Sequence, residues 1–351
     1  MLIGCLSDRH GDLRLALDVY DGRYGPTLGM LPAAARDFGA GPDRGRWNGH
    51  DARGRRRRLT FDFSELGARR TRGRLAAHWP GFSPSATNGA RAIWSGRTAG
   101  AVLPAPAVSL TLRAADAAAW LERHTPDVWT AGLQRALREP AAAAEPVTLA
   151  LYGDPYSGRA GGLKAPGLAL AFPAGETNAV MAALTTELDR LNARFRLGLV
   201  PHPLPAGPHA LTAIEGTGAN LYAKLLPNEC PALLLRDGWA LLAASATTLQ
   251  ALSAVPAGSF APWEDQPLAP GMARLRVDTR PAARTLRDAI FLYTLMSRTG
   301  AAAAPRFRSS LIAAADALNR LFAEGRIEAD FCWSGDDLRV DADWHHPAEE
   351  K

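Results

Sequence analysis

The chain repeats one unit: a short apolar strand, a tight turn, then a helix rich in Ala and Leu. The strand 108–112 runs into a helix from Asp116 to His124, and the strand 273–277 runs into one from Pro281 to Ile290. Leu110 matches Leu275, Leu112 matches Val277, Ala117 and Ala118 match Ala282 and Ala283, and Leu121 matches Leu286. A looser third copy joins 168–172 to a helix from Glu176 to Phe195. Repetition of this kind fixes an architecture without requiring a catalytic motif.

Hairpins set the sense of pairing. Pro231–Leu235 and Trp239–Ala243 flank Arg236-Asp237-Gly238, and Asp-Gly between apolar runs is a strong hairpin signal. Ile327, Ala329, Phe331 and Trp333 alternate with polar residues, Ser334 to Asp337 turn, and Leu338, Val340, Ala342 and Trp344 alternate again. Ser245 stands where it can cap a short helix. The expected fold is therefore α+β, with antiparallel sheets, helices packed on one face and internally repeated strand-helix units. Leu184, Leu188, Leu191, Leu241, Leu286, Phe331 and Trp333 are the expected core. Three regions follow: a basic, strand- and loop-rich stretch 1–97, a repeat domain 98–262, and a second repeat with its closing hairpin 263–351. Residues 80–106 are the candidate linker.

Gly11 to Asp18 echoes Gly335 to Asp343, which makes residues 1–20 resemble a closing hairpin whose earlier part is missing. The expectation drawn from the echo is an N-terminally truncated, exported protein. Leu2-Ile3-Gly4-Cys5 also looks like a lipoprotein processing site, although an apolar signal core is lacking. The sequence has no run of 18 apolar residues, so no segment reads as a transmembrane helix.

Chemical motifs are sparse. Cys5, Cys230 and Cys332 are far apart and read as small apolar residues. The loop from Gly153 to Gly158 follows a strand, but Arg159 and Ala160 stand where a phosphate loop needs Lys and Ser or Thr, so it reads as a hairpin. Asp341, Asp343 and His345 share one strand face and could hold a metal, but a solvated face beside Arg339 is the simpler reading. His202 and His209 are loop residues. Neither a nucleophile elbow nor a paired acid and base can be nominated, and no cofactor is expected.

The strongest binding feature is basic. Residues 1–97 hold 17 Arg against nine acids, whereas the rest of the chain is acidic on balance. Residues 44–74 alone hold 11 Arg and three acids. Arg53, Arg55, Arg56, Arg57, Arg58, Arg69, Arg70 and Arg72 form a candidate anion-binding set, for an anionic polymer or a membrane surface. Residues 39–58 are expected to be an exposed, irregular loop.

The stretch Cys230 to Leu252 resembles a recurrent element of large bacterial extracytoplasmic proteins of unknown function, built of tandem α/β repeats. In them a strand, an Asp-Gly turn, a second strand and a Ser-capped helix recur, and the hairpin at 335–340 is similar to their closing strands. The resemblance spans 107–351 and implies no catalytic residues. Three functions stay open: a non-catalytic binding or structural protein of the bacterial envelope, a nucleic-acid-associated protein acting through 44–74, and, third in order, a hydrolase whose site is dispersed.

Overall fold

The computed structural model describes residues 2–9, 12–19, 44–50, 56–66, 70–78, 99–124, 132–135, 137, 145–160, 163–174, 177–205, 209–216, 229–256, 268–269, 271–296 and 325–345. Two hairpins stand as sheets of their own. One is β1 (Leu2–Arg9) with β2 (Asp12–Val19), the other β8 (Gly158–Ala160) with β9 (Leu163–Ala165). The remaining strands are β3 (Arg44–His50), β4 (Arg56–Leu66), β5 (Arg70–His78), β6 (Val108–Arg113), β7 (Pro146–Tyr152), β10 (Gly167–Pro173), β11 (Leu199–Leu204), β12 (Ala210–Gly216), β13 (Ala232–Arg236), β14 (Trp239–Ala243), β15 (Met272–Asp278), β16 (Arg326–Ser334) and β17 (Asp337–His345). They join one 13-stranded sheet in the order β11-β12-β13-β14-β10-β7-β6-β15-β16-β17-β5-β4-β3. Every neighbouring pair is antiparallel. The sheet thus takes strands from all three regions of the chain.

Among the described residues, four helices of eight residues or more accompany the sheet: α1 (Ala114–His124), α2 (Thr177–Phe195), α3 (Ala246–Ser253) and α4 (Thr279–Met296). Three of them directly follow the expected strands: α1 after β6, α2 after β10, α4 after β15. They do not all share one face, which corrects the expectation from sequence that helices pack on a single face. Alternation along β10 sends Ala169 and Ala171 to a core with Ala246, Leu249 and Leu252 of α3. Phe172 goes to a second core with Ala114, Ala117 and Ala118 of α1, against which Val180 and Leu184 of α2 also pack. Helices therefore cover both faces.

The α3 face is built for close approach. Ala213, Ala232, Ala243, Ala169, Ala150 and Ser109 stand opposite one another across six successive strands. Small side chains let a helix lie near the sheet, and Ala246, Leu249 and Leu252 are fully buried there. A 3-10 turn at Ala99–Ala101, with Val102 and Leu103, joins this core, so the end of the candidate linker is packed structure. Arg236 is 2% exposed and serves α3 from the sheet. Its Nη atoms donate to the Leu252 and Val255 carbonyls at 3.3 and 2.8 Å, at the helix end where free carbonyls concentrate negative charge.

Local signals hold in part. Asp237 and Gly238 have φ of 50° and 76°, the left-handed pair that a two-residue hairpin requires. Ser245 occupies the N-cap position of α3, but its side chain makes no capping bond and accepts from Arg159 N at 3.3 Å instead. Leu188 and Leu241 are buried, Leu184, Leu191, Phe331 and Trp333 are half-buried, and Leu286 is 39% exposed. Leu286 was expected on the inner face of its helix. In α4 that side is formed instead by Thr279, Ala283 and Thr285, with Thr285 Oγ1 only 2.6 Å from where a Cβ on Gly153 would lie. The sequence also predicts a helix over 305–323, with Leu311, Ala314, Ala315, Leu318 and Phe322 on one face, and this segment lies outside the described residues.

Candidate functional site: a charged sheet face

The face that carries α3 changes character between β6 and β15. Its alanine row continues past Ser109 into Arg276, Glu328, Asp343 and Arg72, which stand opposite one another on β15, β16, β17 and β5. The row beside it runs Thr148, Thr111, Arg274, Asp330, Asp341, Arg74 and Asp62. Alternation along each strand explains this. Arg274 and Arg276, Glu328 and Asp330, Asp341 and Asp343, and Arg72 and Arg74 are i, i+2 pairs, and each pair shares a face.

Basic strands meet acidic strands along these rows. Arg274 clasps Asp330 with two parallel bonds, Nε to Oδ1 at 2.7 Å and an Nη to Oδ2 at 3.1 Å. This fork is the strong form of the contact, and the Arg274 side chain is only 11% exposed. Arg276 Nε lies 3.1 Å from Glu328, Arg72 Nε 3.1 Å from Asp343, and Arg74 Nε 2.7 Å from Asp341. Arg339 Nε reaches the other oxygen of Asp341 at 2.8 Å. His78 Nδ1 and Asp337 close the series at 2.8 Å. These outer pairs are exposed enough that each adds little stability by itself.

The charges shift one another. Burial opposes ionisation of Asp341, but hydrogen bonds from Arg74 and Arg339, with their positive charges, outweigh it and hold the carboxyl below the usual carboxylate range. The same bond to Asp341 pushes the Arg74 guanidinium further up. Cys332 lies on this face, opposite Arg339 and Met272. Burial, then the charges of Asp330 and Asp341, raise its thiol pKa, which keeps it protonated and a poor nucleophile. Burial and the charge of Glu215 likewise raise the thiol of the buried Cys230.

Over the charged half lies an open groove of about 470 Å³. Four guanidinium groups and five carboxylates line it, so it carries no cationic surplus. Asp62 and Arg74 both line it, and the charge of Asp62 adds to the pull on Arg74.

The sequence-derived arginines separate here. Arg72 enters the groove, bound to Asp343. Arg70 stands opposite His345 in register. Arg56, Arg57 and Arg58 are strand residues of β4, opposite His50, Gly49 and Asn48 of β3, and Arg58 is exposed. Arg53, Arg55 and Arg69 lie outside the described residues. The expected irregular loop over 39–58 is therefore corrected at 44–50 and 56–58, which form an antiparallel strand pair. Arg74, Arg274, Arg276 and Arg339 were not nominated from sequence, nor were the acids that face them, apart from Asp341 and Asp343. Their signal was present as R-x-R and acid-x-acid alternation.

The segment 153–167 is the hairpin the sequence suggested. Ser157 Oγ donates to Asp154 at 2.8 Å, and Lys164 Nζ meets the other Asp154 oxygen at 2.7 Å. The bonds from Lys164 and Ser157 lower the Asp154 pKa against a small effect of burial. Gly158 and Gly167 bring the hairpin onto Ser245 and Thr248 of α3. Asp341, Asp343 and His345 do lie on one face, with His345 Nε2 3.4 Å from Asp343, but the carboxylates are engaged by arginines. Among the described residues no group of three His, Cys, Asp or Glu side chains is placed to hold a metal ion.

No protein-family model matches the chain, and neither a curated protein nor a solved structure matches it.

Proposed function

We propose that the chain is a non-catalytic structural or binding protein of the bacterial envelope, built of repeated strand-helix units laid side by side in one sheet. The observation that carries this reading is the register between β6 and β15. Leu110 and Leu275, matched in the sequence repeat, are direct cross-strand partners, and α1 and α4 begin four residues after them. Supporting it, the most polar face directs its charges at one another. Arg274, Arg276, Arg72 and Arg74 are each spent on a carboxylate within the sheet. Charges paired in this way stiffen and register strands and leave little field for capturing an anion. The likeness of 230–252 to repeats of extracytoplasmic proteins suggests the envelope as the setting.

A second reading, a nucleic-acid-associated protein, draws on β4. Arg56 and Arg58 stand opposite His50 and Asn48 in register, and His78 lies on the other side of Arg58, so among the described register partners neither has a carboxylate. A strand end of that kind, with Arg53 and Arg55 close in sequence, has the composition of a phosphate-backbone contact.

Titrating the whole chain with duplex DNA, single-stranded RNA and phosphatidylglycerol vesicles at low and moderate salt separates the two. The structural reading expects no saturable binding to either nucleic acid. Binding that weakens steeply with salt, and is lost when Arg55 to Arg58 are replaced by Ala, overturns it in favour of the second.

A further inference from the structure

The two edges of the large sheet differ. The β11 edge carries Pro201 and Pro203, which have no N–H to offer a further strand. The β3 edge has no proline, and among the described residues β3 pairs only with β4. An open edge with free backbone donors and acceptors is a template for another strand.

Two sequence matches identify which strand. β3 reads Arg44-Gly45-Arg46-Trp47-Asn48-Gly49-His50, and β5 carries the same pattern as Arg72-Gly73-Arg74-Leu75-Ala76-Ala77-His78. The partner of β5 is β17, whose Asp337-Leu338-Arg339-Val340-Asp341-Ala342-Asp343 aligns with Asp12-Leu13-Arg14-Leu15-Ala16-Leu17-Asp18 of β2. Both β2 and β17 follow a two-residue turn as the second strand of an antiparallel hairpin. In the observed pair, Asp343 meets Arg72 and Asp337 meets His78.

We propose that β2 is the strand that closes the β3 edge, antiparallel and in the register by which β17 pairs with β5. That register sets Asp18 opposite Arg44 and Asp12 opposite His50, and adds β2 and β1 to the sheet. Charge complementarity selects β2. A second copy of β3 would bring no acid to the edge, since Arg44 to His50 contain none. The connection 20–43 is long enough for the return. Ala16 replaces the acid that Asp341 provides, so two of the three charged contacts carry over.

The test is a cysteine pair in the full chain with Cys5→Ser, Cys230→Ala and Cys332→Ser. Ala16→Cys with Arg46→Cys should close within the monomer under mild oxidation. The offset pair Ala16→Cys with Asn48→Cys should close at least tenfold more slowly. Equal rates for the two pairs, no closure in a folded chain, or a covalent dimer as the sole product would each overturn the proposal. Should the cysteine chain fail to fold, amide exchange on the unmodified chain decides. Asp18→Arg should lower protection across 44–50 at least tenfold, and Asp18→Arg with Arg44→Asp should restore it. Protection that is unmoved by Asp18→Arg, or lost and not restored by the double exchange, overturns the pairing.

Discussion

Leu110 and Leu275 stand directly opposite each other where β6 meets β15. Directly opposed residues of an antiparallel pair lie at its local two-fold axis. Thr111 against Arg274 and Ser109 against Arg276 are arranged about the same point. The two leucines share a face and are each half-buried, so their contact should be measurable. In a double-mutant cycle of Leu110→Ala and Leu275→Ala, the expected coupling is roughly 0.5–1 kcal/mol from denaturation midpoints. Strict additivity would mean that the register is held by backbone bonds alone.

Leu188→Ala and Leu241→Ala should each cost roughly 2–5 kcal/mol, because both side chains are enclosed and their removal leaves a cavity. Leu286→Ala should cost less than about 1 kcal/mol, since its side chain is 39% exposed. Urea denaturation of the three variants checks the order. A Leu286 variant as damaged as the Leu188 one would place α4 the other way round.

The contrast between those leucines marks the limit of what the residues alone revealed. Hairpins with short-range causes were legible: Asp237-Gly238 between two apolar runs, and the turn at Gly335-Asp336 between β16 and β17. Leu286 lies on the apolar face of its helix by sequence, but the side of α4 that the fold buries carries Thr285, beside Gly153, which lies outside the helix. β3 was missed because an edge strand need not have an apolar face; Arg44 to His50 owe their extended form to pairing with β4. The charged rows were hidden by distance. Arg72 and Asp343 are separated by 271 residues, and each alone looks like ordinary solvated charge.

Gly167→Ala should destabilise the hairpin at 153–167 and α3 together. A Cβ there would overlap the Tyr156 carbonyl oxygen and come within 2.9 Å of Thr248 Oγ1. Backbone cannot yield as a side-chain tip can, so a cost of roughly 1–3 kcal/mol is expected. Gly335→Ala meets no atom within 4 Å, and with φ of 58° should lose only about 1 kcal/mol to backbone strain. Thermal denaturation of both variants tests whether contact or conformation dominates.

Arg236→Ala should be more harmful than any single surface arginine change. It removes the two guanidinium donors that reach the Leu252 and Val255 carbonyls, from a residue that is only 2% exposed. Bonds from a charged donor are worth about 1.5–3 kcal/mol each in such settings. The loss should appear first as faster amide exchange in α3, because the guanidinium holds that helix end to β13. Arg236→Met, which refills the volume without donors, should recover only part of the stability.

Asp341 should shape the acid limb of the stability curve. Its folded pKa is depressed, because the hydrogen bonds and charges of Arg74 and Arg339 outweigh the burial that opposes ionisation. A depressed carboxyl contributes stability that is fully present above its unfolded pKa, near about 3.9. That contribution is lost as pH falls through the lower folded value. In Asp341→Asn no proton is taken up at this site, so the variant should be less stable than the parent at neutral pH. The two should converge as pH falls through the lower folded value. Solvent screening keeps the gap small, because the Asp341 side chain is 41% exposed and that of Arg74 58%. The same experiment in high salt should narrow the neutral-pH gap further, whereas a gap independent of both pH and salt would assign Asp341 a packing role instead.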